Sequence, residues 1–181
     1  CTYLIVDENG HTKYSASDAL NIYLERGGDI FNLPFSRKLW SLFGIRRPKY
    51  SVSSLESALH DYFGESMTAD LKRPCIITSY DIRDRKAVFF NKVDGINNPV
   101  RNYKVRDVAR ATSAAPTYFK PARIKSAIDA PLVLVDGGVF ANNPALCAYA
   151  EARTLDFAKQ DHEPDLPTED IDPTVLVDEL I

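Results

Sequence analysis

The stretch Pro131–Ala145, PLVLVDGGVFANNPA, sets an aspartate at the end of four consecutive apolar residues and follows it with two glycines. Leu132, Val133, Leu134 and Val135 show no alternation, so they read as a short strand buried on both faces, the kind found inside a parallel sheet. Asp136 then stands at the strand's C-terminal end, which in open α/β sheets is where ligands bind. Gly137 and Gly138 put no side chain beside that carboxylate, so the backbone can turn sharply or another group can come close. Asn143 before Pro144 is a helix cap followed by a favourable first helical residue. The local reading is strand, acid, tight turn, helix. Two roles for Asp136 are open on these residues alone: a turn cap, the common use of Asp before Gly, or a working carboxylate.

A chain of 181 residues, 45% hydrophobic, can bury one sizeable core. Its net charge of −3 lacks the positive footprint that a phosphate backbone demands, so no nucleic-acid partner is expected. No apolar run reaches the roughly 18 to 20 residues that cross a bilayer. Cys1, Cys75 and Cys147 are too few and too odd in number for a disulfide framework and match no zinc spacing. With Cys75 in a predicted strand and Cys147 in a predicted helix, both read as small core residues. There is no H-E-x-x-H and no Cys/His cluster, so neither a metal nor a cofactor is expected.

Along the chain, Ser17 reads as the cap of a helix that carries Ala19, Leu20, Ile22, Tyr23 and Leu24 and stops at Gly27 and Gly28. The segment Phe31 to Tyr50 mixes eight large apolar residues with Arg37, Lys38, Arg46, Arg47 and Lys49 and has no acid. Two readings are open for it: peripheral contact with an anionic lipid surface, or a core helix with a solvated basic edge. SSLESALHDYFG is a helix with Leu55, Ala58, Leu59, Tyr62 and Phe63 on one face and Gly64 as its stop. CIITSY and KAVFFN, joined by DIRDR, form a hairpin. KVRDVARATSAAP is helical and ends in small residues, Ser113, Ala114 and Ala115, which let another backbone pack very close. A further helix starts at Pro144, and residues 161–173, with six acids and three prolines, read as a surface loop. TVLV beyond it reads as one more strand.

Five blocks, YSASDALNIYLERGGDIF, RPKYSVSSLESALHDYFGE, CIITSYDIRDRKAVFF, ARATSAAPTYFKPA and VDGGVFANNPA, occur in the order found in patatin-like phospholipases, and the chain resembles that family from about Tyr14 to Ala150. The resemblance implies an α/β fold with a largely parallel central sheet and helices on both faces. It implies hydrolysis of phospholipid or other acyl-lipid esters, of the phospholipase A or lysophospholipase type, by a Ser-Asp dyad without cofactor. The family's dyad acid matches Asp136, as general base, with Gly137 and Gly138 as the active-site turn. A cytoplasmic or membrane-peripheral location goes with that activity.

The family carries its nucleophile in a G-x-S-x-G elbow, and these residues hold no such motif. Gly64-Glu65-Ser66-Met67-Thr68 comes nearest, but a helix precedes it and Thr68 replaces the second glycine, whereas an elbow needs a strand in front to expose its serine. Ser113 ends a helix, and the resemblance gives it no nucleophilic part. The expectation is therefore a single partial domain over residues 1–181, incomplete at its N-terminus. CTYLIV would be the tail of the nucleophile helix, and the chain would be inactive by itself. An ordinary hydrolase triad finds no base: only His162 follows Asp136, in the acidic loop, while His11 lies in a turn and His60 on an amphipathic helix. The rival of another class is a non-catalytic lipid- or protein-binding module on the same fold.

Overall fold

The computed structural model describes residues 11–31, 50 and 52–154. Helix α1 (Ala16–Phe31) is followed by α2 (Val52–Phe63), strands β1 (Ile76–Asp81) and β2 (Lys86–Asn91), and a short helix α3 (Lys92–Asn97). Then come α4 (Val105–Thr112), β3 (Ala122–Lys125), β4 (Pro131–Asp136) and α5 (Ala145–Ala152). Except for its two end residues, the basic segment Phe31 to Tyr50 lies outside the described residues, as do the loop 161–173, TVLV, Cys1 and His162.

The four strands form one sheet in the order β2-β1-β4-β3, and every pairing is antiparallel. The expected parallel sheet is therefore corrected. An unbroken apolar run reports that a strand is buried, and β4 is indeed an inner strand with Leu134 and Val135 buried. Such a run carries no information about its neighbours' direction. Direction follows from the connections: a parallel neighbour needs a crossover of a dozen or more residues. The foreseen β1–β2 hairpin turns in four residues, with Arg85 at φ 55° and Asp81 Oδ1 accepting from the Arg83 and Asp84 N–H groups. β3 and β4 form a second hairpin, closed by Ser126 N–H donating to Ala130 O, with Asp129 at φ 64°.

Helix α4 lies against one face of the sheet. Its Val108 and Ala111, with Ala114 just beyond, pack on Phe90, Ala122, Ile124 and Leu134 and on Tyr103. Val105 and Ala109 face the other way and join Phe63 and Leu71 in a second cluster, partly closed by Leu59, Tyr62 and Cys75. Val105 and Val108 are fully buried, each worth about 1.5–3 kcal/mol of transfer free energy. The opposite sheet face carries Tyr80, Phe89 and Phe140 in edge and tilted contact, and Phe89 and Phe140 stay exposed.

At the helix ends, α2 stops at Gly64, φ 50°, as expected. α1 differs from expectation. Its cap is Ser15, whose Oγ accepts from Asp18 N–H while Asp18 Oδ2 accepts from Ser15 N–H, a reciprocal box that outcompetes a cap at Ser17. The helix then runs through Gly27 and Gly28 to Phe31, and Leu20 and Leu24 are exposed.

Candidate active site

Strand β4 delivers Asp136 to its C-terminal end, half-buried, and the chain turns at once through the single 3-10 turn Gly137–Val139. Asp136 Oδ1 accepts from Gly138 N–H at 2.8 Å. The turn-cap role is thus real and occupies one carboxylate oxygen. Among the described residues no donor is bonded to Oδ2.

Two further features hold this carboxylate in place. The Asp136 N–H donates to Ala114 O at 3.1 Å, so the small-residue end of α4 meets the strand end backbone to backbone. Ala114 is fully buried there, which is why a larger side chain has no room. The loop behind Ala114 is closed by Tyr118 and Phe119 N–H groups sharing Ala115 O, with Thr117 at φ 71°, a costly conformation for a β-branched residue. On the other side, a Cβ at Gly137 would lie 2.2 Å from Thr78 Oγ1 and 2.6 Å from Thr78 C, so only glycine lets the turn pass β1. A Cβ at Gly138 would sit 3.3 Å from Asp136 Oδ1 and crowd the carboxylate.

The serines weighed from the sequence both follow helices. Ser113 Oγ donates back to Ala109 O at 2.7 Å. Ser66 follows α2 and the Gly64 turn, and its carbonyl accepts from Val105 N–H at 2.8 Å, so it tethers the start of α4 and is preceded by no strand. His60 is exposed on α2, and so is His11 near the start of the described chain. Cys75 is partly buried beside the second core cluster, where burial pushes its thiol pKa up, and Cys147 lies half-buried on α5. Sequence reasoning missed Thr78 and Ser79, the β1 neighbours of the turn and of Asp136. Their signal was two small hydroxyl residues inside an otherwise apolar strand.

A family model described as "Patatin-like phospholipase" matches residues 14–149, three quarters of the chain. The chain belongs to the patatin-like phospholipase family. Among its relatives are "Patatin-like protein 1" of Oryza sativa subsp. indica, 28% identical over 86% of this chain, and "Patatin-like protein 2" of Arabidopsis thaliana, 31% identical over 80%. "Patatin-17" of Solanum cardiophyllum is 31% identical over 82% of the chain. These alignments cover 39%, 37% and 38% of the relatives' own lengths, so the chain spans about two fifths of the proteins it matches. The match to patatin-like phospholipases takes in both the Ser113–Ala115 close of α4 and the Asp136-Gly137-Gly138 turn that it meets.

Proposed function

We propose that these residues are the acid-bearing part of a serine-dependent lipid acyl hydrolase, of the phospholipase A or lysophospholipase type, with Asp136 as general base. The observation that carries this reading is the half-engaged carboxylate: Oδ1 is held by Gly138 N–H, while among the described residues Oδ2 has no donor, beside a turn whose Gly137 has no room for a side chain. A base in such chemistry must be fixed in direction yet keep one lone pair for the incoming proton. Asp136 Oδ2 takes the proton of a serine hydroxyl as its oxygen bonds to the ester carbonyl carbon. It then returns that proton to the departing alcohol as the ester C–O bond breaks, and water repeats the cycle on the acyl-enzyme. On this reading the nucleophile lies outside these 181 residues: they hold no G-x-S-x-G, no strand leads into Ser66 as an elbow requires, and the Ser113 hydroxyl is committed to Ala109 O. Phospholipid or another acyl lipid is the substrate class, in keeping with the family.

In the full-length protein Asp136→Asn keeps the shape and the Gly138 contact but removes the proton acceptor. Turnover of a short p-nitrophenyl ester should fall by about two to four orders of magnitude. A folded variant with near-normal turnover removes Asp136 from the mechanism. A fluorophosphonate probe should leave Ser66 and Ser113 unlabelled in the same protein, and stoichiometric labelling at either would relocate the nucleophile.

A further inference from the structure

Ser79 is fully buried on β1, and its Cα partner on β4 is Asp136. Ile82 N–H donates to Val133 O at 3.0 Å, which makes that pair a hydrogen-bonded one in the antiparallel ladder. By alternation Tyr80 and Val135 form the next such pair, and Ser79 and Asp136 face each other without ladder bonds, the arrangement that brings opposed side chains closest. In this register the Val135 carbonyl points toward β1. There Ser79 Oγ donates to it at 2.6 Å.

The consequence concerns the single peptide unit between Val135 and Asp136. Its carbonyl oxygen takes the Ser79 hydroxyl as a second donor beside the Tyr80 ladder N–H, and its own N–H is held by Ala114 O from the opposite side. With both ends of the plane held, the direction in which the Asp136 side chain leaves the backbone is set before any substrate arrives. The one proton of Ser79 is committed to Val135 O, so it does not compete for the carboxylate.

We propose that Ser79 is the positioning residue of Asp136: it locks the peptide that aims the carboxylate and withholds its own proton from Oδ2. This inference rests on Asp136 being the general base. Ser79 does not touch substrate; it acts through Asp136 alone.

The test uses the full-length protein and a short p-nitrophenyl ester. Ser79→Ala should lower kcat about 10- to 100-fold with KM unchanged, the signature of a misdirected catalytic group. Ser79→Thr, which keeps the hydroxyl, should restore most of the loss. In the Asp136→Asn background Ser79→Ala should change the residual turnover no further, because a residue that acts only through Asp136 has nothing left to act on. Wild-type kcat in a folded Ser79→Ala protein overturns the proposal. So does a loss that adds fully to that of Asp136→Asn, or one that tracks a fallen melting temperature in both Ser79 variants, since each describes a structural serine. Near-normal turnover in Asp136→Asn by itself is a separate result: it removes the base, and this inference with it.

Discussion

At Gly137 the chain has no freedom of residue type, and the reason is distance rather than backbone angle. A methyl group there would overlap Thr78 Oγ1 and the Thr78 backbone carbon, 2.2 and 2.6 Å from the added Cβ. Backbone on both sides cannot yield as a flexible side-chain end could. Gly137→Ala should therefore destabilise the fold by about 3 kcal/mol, the upper part of the range for overpacking, read as a lowered urea midpoint at unchanged slope. An unchanged midpoint would mean that the turn can move off β1. The glycine pair was legible as a tight turn from the letters alone, but which glycine is forced by packing and which keeps the carboxylate uncrowded was not. That distinction needs Thr78, a residue far away in the chain.

Helix α4 depends on a clamp at its N-terminal end as well as on its apolar stripe. Glu65 receives Lys104 Nζ at 2.6 Å and also pairs with Arg106, tying the turn after α2 to the first turn of α4. Those hydrogen bonds from Lys104 and Arg106 hold the Glu65 carboxyl pKa below that of an ordinary glutamate. A depressed carboxylate pKa means that the unfolded chain binds the proton more readily than the folded one. The clamp's contribution is thus fully present above the unfolded value and is lost as pH falls through the lower folded value. Glu65 is well exposed, so the effect is small and salt-sensitive. Glu65→Gln should lose less stability than wild type between about pH 7 and about pH 3, measured as the shift in urea midpoint. Equal losses would show that the pair contributes nothing measurable. That KVRDVARATSAAP is helical was readable from the sequence, and Val105, Val108 and Ala109 are buried on it.

For the whole molecule, the two sheet faces are unequal. One is sealed by α4, while the other presents Phe89 and Phe140, 37% and 39% exposed, next to an α5 whose Leu146 and Tyr149 are 76% and 61% exposed. Among the described residues β2 and β3 stand at the sheet edges, each paired on one side. Contiguous apolar surface and open strand edges favour association. The 181 residues expressed alone should self-associate in sedimentation analysis, and Leu146→Lys with Tyr149→Lys should reduce that association. A monomer over a wide concentration range would show that this surface is tolerated by water.

What the sequence determined by itself are the features encoded by neighbouring residues: the hairpin at DIRDR, the helix stop at Gly64, the small-residue close of α4, and a strand that ends in an acid and a two-glycine turn. Local patterns record burial and turn chemistry, and those survive translation into three dimensions. Tertiary structure alone decided that β4 runs antiparallel to both neighbours, because an apolar run is the same in either direction and only connection and register choose between them. It also decided that Ser79 reaches Val135 O across a separation of 56 positions, pinning one side of the peptide that Ala114 holds from the other. No periodicity within β1 or β4 carries that information, since it depends on the one register that brings Ser79 opposite Asp136.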